Sequence, residues 1–168
     1  NEIKNSDRYV VLASHHPLKC MFNNYAPTGR RVCEDEITEM LLKYPQVIAW
    51  FAGHEHRHHV AWIGSEIEEK GFWQIETASH ADWPQQSRTI EIVQSESGEI
   101  FIALTVIDHA AGTTYGAAQT PLEMAALSRL ISANVWQKRE SLGAKHPADW
   151  AMGAAHERNT VLRLSARK

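Results

Sequence analysis

An apolar segment that runs into a glycine and a group of histidines constrains this chain more than any other stretch. Val47–Ala52 is wholly apolar and predicts a buried β-strand. Gly53 follows it, and four of the next six residues are histidines, namely His54, His56, His58 and His59. Side chains at i and i+2 of an extended chain point the same way, so His54 and His56 are predicted to reach one metal ion. A glycine also permits a close approach of backbone or ligand. The alternative is a polar loop that happens to contain histidines.

A second apolar segment also ends in histidines. Tyr9–Ala13 is almost wholly apolar, which predicts a strand covered on both faces, and Ser14-His15-His16-Pro17 follows it. Open α/β sheets bind ligands at the carboxyl ends of their strands, so imidazoles at this position indicate a site. Pro17 is expected to keep His16 extended, so that the two rings point in different directions and only one faces the site. Taken alone, either histidine could be a hydrogen-bonded residue at a strand end.

Length and composition indicate one globular domain and exclude some classes of function. The chain has 168 residues, of which 43% are hydrophobic, and its 17 basic and 20 acidic residues give a net charge of −3. No overall positive field favours nucleic acid or an anionic membrane, and no apolar run approaches the ~20 residues of a membrane-spanning helix. Cys20 and Cys33 could pair, but we expect buried thiols. The chain starts at Asn1 and enters a strand almost at once, which suggests a larger protein and leaves localisation open.

Two amphipathic segments predict helices. Glu34–Tyr44 has acids in its first turn and Pro45 after its end, and four apolar residues at helical spacing are expected to face the core: Ile37, Met40, Leu41 and Tyr44. Thr120-Pro121-Leu122-Glu123 is a capping box with proline at the first helical position. It predicts a helix to about Trp136, whose inward side chains are expected to be Leu127, Leu130 and Ile131.

The other segments predict strands and their connections. Val60–Ile63 and Phe72–Ala78 are expected to be strands, and Arg88–Val93 is expected to form a β-hairpin with Ile100–Ile107 across Ser95–Gly98. Polar residues follow the strand predicted over Phe72–Ala78, from Ser79 to Gln86. The predicted connections are a loop over Lys19–Val32, an acidic turn over Gly64–Lys70, a linker over Ala110–Gln119, and an irregular tail that docks through Trp150 and Val161-Leu162.

In chain order, these motifs resemble the carboxyl-terminal half of the calcineurin-like metallophosphoesterases. The matching features are a strand with Ser14-His15-His16-Pro17-Leu18, a helix, a strand with Gly53-His54-Glu55-His56, and a strand with Ser79-His80. The bacterial branch of that family is the most similar. It shares the segment Gly-Phe-Trp-Gln-Ile-Glu-Thr-Ala-Ser-His-Ala-Asp-Trp-Pro-Gln-Gln-Ser-Arg, here residues 71–88, and a late segment like Glu157-Arg158-Asn159. The resemblance extends from about Tyr9 to Leu164.

The resemblance implies an α/β fold that is part of a two-sheet sandwich flanked by helices. It implies a centre of two divalent metal ions, Mn, Fe or Zn, that hydrolyses phosphate mono- or diesters of small molecules. By position, His15 and His54 would bind the second ion and His56 the first. His16 would not bind an ion itself but would contact the ligands or have a structural role. His80 and Asp82 match no ligand motif of the family and would line the substrate pocket.

Several motifs of that family are absent from the chain. They are Asp-x-His, Gly-Asp-x-x-Asp and Gly-Asn-His-Glu/Asp, which lie upstream of the Ser-His-His-Pro strand and supply the bridging Asp, the Asn ligand and a histidine that helps to protonate the leaving group. We therefore expect the catalytic residues upstream. Residues 1–109 would form the carboxyl-terminal half of a catalytic domain, and residues 110–168 a linker, a capping helix and a tail packed on it. The chain is expected to need its missing amino-terminal half and to be inactive alone.

Two other interpretations use the same histidines. His54-x-His56-x-His58-His59 is similar to the His-x-His-x-Asp-His signature of the metallo-β-lactamase fold, in which His54, His56 and His59 would be ligands and His58 replaces an aspartate. Alternatively, His15, His54 and His56 hold one metal ion in a non-catalytic fragment, because three nitrogen ligands suit a structural ion as well as a catalytic one. The sequence does not separate these alternatives.

Overall fold

The structure is a computed structural model that describes residues 2–20, 32–65, 70–112, 114–133 and 147–166. Its seven strands are β1 (Val10–Ala13), β2 (Val47–Ala52), β3 (His59–Ser65), β4 (Lys70–Glu76), β5 (Ser87–Gln94), β6 (Ile100–Ile107) and β7 (Thr160–Leu164). Its four α-helices are α1 (Glu34–Leu41), α2 (Pro121–Ser132), α3 (Pro147–Met152) and α4 (Ala155–Arg158). Short 3₁₀ turns cover Ile3–Asn5 and Leu18–Cys20. The described part of the chain contains no helix with the length and apolar character that a bilayer crossing requires.

The strands form two separate sheets. The first has the order β1-β2-β4-β3, in which β1, β2 and β4 are parallel and β3 runs antiparallel to β4. The second has the order β5-β6-β7 and is antiparallel throughout. The parallel pairing brings the carboxyl ends of β1, β2 and β4 to one edge of the first sheet, because Ala13 lies beside Phe51 and Ala52 beside Glu76.

Buried side chains join the two sheets into one core. The main cluster combines residues of the first sheet with residues of the second: Ile48, Ala49, Ile75, Ile100, Ile102, Leu104, Leu162 and Leu164. A second cluster lies between the first sheet and α1, and it includes Trp50, Phe72 and Leu41. The protein is therefore a mixed α/β protein with two packed sheets, and β2 is buried along almost its whole length, as its apolar sequence predicted.

Several predicted elements are confirmed, with small changes in length. The hairpin of β5 and β6 pairs from Ser87 with Ile107 to Gln94 with Ile100. The capping box of α2 is present, with Thr120 Oγ1 accepting from the Glu123 amide. Helix α1 ends at Leu41 instead of Tyr44. Most of the predicted loop 19–32, the centre of the predicted turn 64–70, one residue of the linker 110–119 and the predicted helix end at Trp136 lie outside the described residues.

Four expectations about burial are wrong. In α1, Met40 is 48% exposed, although it was expected to face the core. Strand β1 is an edge strand that alternates between half-buried and exposed residues, with Val11 38% exposed, so it is not covered on both faces. In α2, Leu130 and Ile131 are 53% and 65% exposed, because Ala126 occupies the buried face instead. Cys33 is an exposed free thiol, whereas the side chain of Cys20 lies outside the described part of the chain.

The expectation of an irregular tail is also wrong. Strand β7 completes the second sheet beside β6, and its residues alternate so that Leu162 and Leu164 enter the core while Val161 stays exposed. Helices α3 and α4 precede this strand. The residues after position 110 therefore supply part of the core.

The turn after α3 allows a test of how the tail docks. Gly153 has a φ of +68°, and a Cβ added there would lie 2.2 Å from the carbonyl oxygen of His58. Gly153→Ala is expected to lower the free energy of unfolding by about 2 kcal/mol or more, because a left-handed alanine is strained and the His58 backbone would have to move. Urea unfolding measures this. Gly112→Ala is the control, since a Cβ there approaches only the Thr114 amide at 4.0 Å. Equal effects of the two changes would contradict the described packing.

Candidate metal centre

The candidate site lies where the parallel strands β1 and β2 end. His15 and His16 follow β1, and His54 follows β2 after one intervening glycine. Two backbone hydrogen bonds continue the strand pairing beyond the strand ends: the Ser14 amide donates to the Phe51 carbonyl at 3.0 Å, and the Gly53 amide donates to the His15 carbonyl at 3.0 Å. The sheet therefore holds the two histidine segments side by side.

Three imidazoles converge at this edge. One ring nitrogen each of His15, His16 and His54 lies within 4.8 Å of the other two, and His54 Nδ1 is 3.2 Å from His15 Nε2. The ring centroids are 4.0 Å apart for His16 and His54 and 5.1 Å apart for His15 and His54. A tetrahedral zinc ion with Zn–N bonds of about 2.0–2.1 Å separates its ligand nitrogens by about 3.3 Å. The donor set and its spacing therefore fit a late transition metal ion.

The inclusion of His16 corrects an expectation. We expected Pro17 to keep the chain extended and to turn one of the two rings away, but the chain bends at His15 and His16 and both rings join the cluster. Ser14 holds this bend, because its Oγ donates to the His16 carbonyl at 2.6 Å and accepts from the Trp50 indole nitrogen at 2.7 Å. A serine hydroxyl that bonds to the backbone two residues on is a local device that competes with the extended conformation.

His56 lies outside the three-imidazole cluster. His54 and His56 both have positive φ values, +66° and +54°, so the segment is not extended and the argument that i and i+2 point the same way does not apply. The Nδ1 atom of His56 instead makes a short contact with the Asp82 carboxylate. Gly53 has no close neighbour, because an added Cβ would meet only the His15 carbonyl oxygen at 3.8 Å.

Asp82 and His80 are held in the polar segment after β4. Ser79 Oγ accepts from the amides of Ala81 and Asp82 at 3.0 and 3.2 Å, and this turn carries the Asp82 side chain to His56. The Nε2 atom of His80 lies 2.7 Å from Ser87 Oγ at the start of β5. Asp82 thus adjoins the candidate site through His56, whereas His80 contacts the second sheet.

Partial burial and neighbouring imidazoles lower the pKa of His54, although its side chain is exposed. Its pKa is lowered from the ordinary value of 6.5, first by burial and then by the positive charges that His16 and His15 would carry when protonated, and Glu55 opposes this shift. A neutral imidazole keeps a lone pair for a metal ion, whereas imidazolium does not. The electrostatics of the cluster therefore favour metal binding at neutral pH.

The remaining histidines of the group have other partners. His59 is the first residue of β3, and its Nδ1 makes a short contact with the Glu157 carboxylate of α4. His58 is 1% exposed, and its Nε2 lies 3.2 Å from Gln86 Oε1. Sequence reasoning did not identify Ser14, Gln86 or Glu157 as partners of these histidines. The sequence places Ser14 directly before His15 and His16, which is a local signal for its role. The contacts of Gln86 and Glu157 depend on tertiary structure.

Comparison with known proteins gives no family assignment, since neither a protein-family model nor a curated protein matches this chain.

Proposed function

We propose that this chain carries the imidazole-rich part of a metal-dependent phosphoesterase centre. The observation that supports the proposal is the convergence of His15, His16 and His54 at the carboxyl ends of two parallel strands. The order of motifs resembles the metallophosphoesterases, whose two-sheet sandwich is compatible with the two packed sheets of this protein. Under this proposal, His15 and His54 bind one ion, and His16 is a third ligand or supports the other two.

His56 and Asp82 fit a role at the other ion, the first ion of the assignment by resemblance. A metal-bound histidine usually uses one ring nitrogen for the metal and donates the other N–H to a carboxylate, which fixes the orientation of the ring. The contact between His56 Nδ1 and Asp82 provides such a carboxylate and leaves Nε2 as the ligand atom. Asp82 would then orient His56, which is a more specific role than lining the substrate pocket.

The donor set indicates what the rest of the centre must supply. Within the described residues, no carboxylate belongs to the three-imidazole cluster. Two divalent ions, when bound, would polarise phosphoryl oxygens and lower the pKa of a bound water. Imidazoles alone favour zinc and other late transition metals, and oxygen ligands are needed to hold Mn as well. We therefore propose that a polypeptide segment outside these residues provides the oxygen ligands.

Two alternatives use the same histidines. A site of metallo-β-lactamase type would bring His59 to His54 and His56, but the contact of His59 is with Glu157. The non-catalytic alternative uses the same imidazoles, so it differs from the proposal only in its lack of hydrolysis. No observation in the described part of the chain favours either alternative over the phosphoesterase.

Metal content and hydrolysis test the proposal together. The 168-residue chain is expected to bind about one zinc or cobalt ion, because only imidazoles converge there, and not to hydrolyse p-nitrophenyl phosphate or bis(p-nitrophenyl) phosphate. The full product of the natural reading frame is expected to bind two ions and hydrolyse at least one of these esters. Elemental analysis and release of p-nitrophenolate measure both properties.

Each result has a separate meaning. Two tightly bound ions in the 168-residue chain would show that no outside ligands are needed. A metal-loaded full product that hydrolyses neither ester would favour the non-catalytic alternative. Absence of any bound metal in both proteins would overturn the proposed centre itself.

A further inference from the structure

We propose that Gln74 and Glu76 of β4 are positioning residues that hold the two histidine segments in register for metal binding. This inference rests on the proposed metal centre. The two side chains lie next to each other on one face of β4, and both are buried, with exposed fractions of 5% and 1%. A buried carboxylate at the end of an inner strand costs free energy, so its partners indicate what it does.

Glu76 binds the segment that carries His54 and His56. Its Oε2 accepts from Arg57 Nε at 2.9 Å, and its Oε1 lies 3.5 Å from Arg57 Nη2. The Arg57 guanidinium in turn lies over the Trp150 ring of α3, 5.0 Å from the ring centroid. Arg57 is the residue immediately after His56, so the ion pair fixes the chain directly beside a proposed ligand.

Gln74 binds the segment that carries His15 and His16. Its Oε1 accepts from the Leu18 amide at 2.9 Å, two residues beyond His16. Its Nε2 donates to Glu76 Oε1 at 3.1 Å. One continuous chain of hydrogen bonds therefore runs from the Leu18 amide through Gln74 and Glu76 to Arg57, and it joins the two histidine segments.

The polar network has features that packing alone does not require. Apolar residues of the same volume would fill β4 without the cost of burying a charge, and such replacements are often neutral or stabilising. Left-handed conformations at His54 and His56 need support from their surroundings. The ion pair at Arg57 supplies that support at the end of the strained segment. Preorganised ligands bind a metal ion more tightly because less ordering remains to be done.

Cobalt binding tests this role. Co²⁺ is titrated into the 168-residue chain, and the visible absorption bands report both affinity and ligand geometry. Glu76→Gln keeps the size of the side chain but removes its charge, and Gln74→Met removes both hydrogen bonds. Each is expected to weaken Co²⁺ binding about 10-fold or more, as for other residues that orient metal ligands, and to shift the absorption bands.

Ile75→Val is the matched control. It lies between the two residues on the same strand, is fully buried and loses one methylene, but it has no part in the polar network. It is expected to lower stability while leaving the Co²⁺ affinity and spectrum unchanged. Affinity and bands that are unchanged in Glu76→Gln and Gln74→Met would overturn the positioning role, even if both variants unfold more easily.

A measurement without metal separates this inference from the proposed centre. Hydrogen exchange of the Leu18 amide is followed by NMR in the wild type and in Arg57→Met. If the network is continuous, loss of Arg57 is expected to reduce protection of Leu18 at least several-fold more than protection of amides in β6. Equal protection in Arg57→Met and wild type would overturn the network. Failure of the wild type to bind Co²⁺ would overturn the proposed centre, and with it the positioning role.

Discussion

His54→Ala is expected to weaken zinc binding by about 100-fold. Three ligands on one scaffold bind far more tightly than their separate affinities predict, and removal of one loses an intramolecular contribution of about 10²–10⁴. His54 is central to the cluster, because its Nδ1 is 3.2 Å from His15 Nε2 and its ring centroid is 4.0 Å from that of His16. Competition with a chromophoric chelator at pH 7.5 measures the affinity.

His59→Ala is the control for this experiment. Like His54, His59 belongs to the histidine group between β2 and β3, but it contacts Glu157 and not the cluster. It is expected to change zinc affinity less than threefold, although it can lower stability. Equal losses for His54→Ala and His59→Ala would contradict the described site and favour the metallo-β-lactamase alternative, in which both are ligands.

The sequence predicted the scaffold of the candidate site better than its local geometry. Apolar runs that end in histidines predicted a site at the strand ends, and the resemblance implied that His15 and His54 share one ion; the structure brings these two side chains together where β1 and β2 end. The alternation from Arg88 to Val93 and from Ile100 to Ile107 predicted the hairpin. The strands and the hairpin could be predicted because they depend on periodicity and on adjacent segments, which a single sequence contains.

The conformations of His16 and His56 were not accessible to the same reasoning. They depend on the left-handed turns at His54 and His56 and on the bend that Ser14 holds. Positive φ values are rare for residues other than glycine, so residue propensities predict an extended chain at His54 and His56 instead. Tertiary contacts such as the ion pair of Arg57 with Glu76 stabilise these turns. A pairing of residues that are far apart in the chain cannot be predicted from the local sequence.

Strand order explains the other errors. Val11 is exposed because β1 lies at the edge of its sheet, and an apolar run looks the same in an edge strand as in a central one. Strand β7 pairs with β6, which lies about 60 residues earlier in the chain. The sequence of β7 alternates, with Leu162 and Leu164 inward, and this pattern is typical of a strand. The segment before it is rich in Ala and Gly, which favoured the prediction of an irregular tail.

Acid is expected to destabilise this protein through His58. Its ring is 1% exposed, and its Nε2 lies 3.2 Å from Gln86 Oε1, while Gln86 Nε2 donates to Asp108 at 3.1 Å. The amide of Gln86 is thereby oriented so that its Oε1 accepts from His58 Nε2. Burial first, and then the charges of Arg88 and Arg158, lower the pKa of His58 from 6.5 to about 4, and the hydrogen bond to Gln86 opposes them only in part.

The direction of the effect follows from the lowered pKa. Between pH 6.5 and about 4 the unfolded chain binds a proton at His58 and the folded protein does not, so stability rises with pH in this range. The contribution is fully present above pH 6.5 and is lost as the pH falls to about 4. At about 1.4 kcal/mol per pKa unit, the loss over this range is about 3 kcal/mol. Carboxylates with lowered pKa values, such as Glu157 and Asp108, add to the loss of stability at lower pH.

His58→Gln isolates the contribution of the histidine. Glutamine offers an amide N–H near the position of Nε2 and does not titrate, whereas the carboxylates are the same in both proteins. Urea unfolding followed by tryptophan fluorescence at pH 7, 6, 5 and 4.5 is expected to give a free energy that falls more steeply with acid in the wild type than in His58→Gln. Parallel curves for the two proteins would contradict a buried neutral His58. If the variant does not fold, an NMR titration of the His58 ring in the wild type decides the question, because a midpoint near 6.5 would show that the ring is not held in its neutral form.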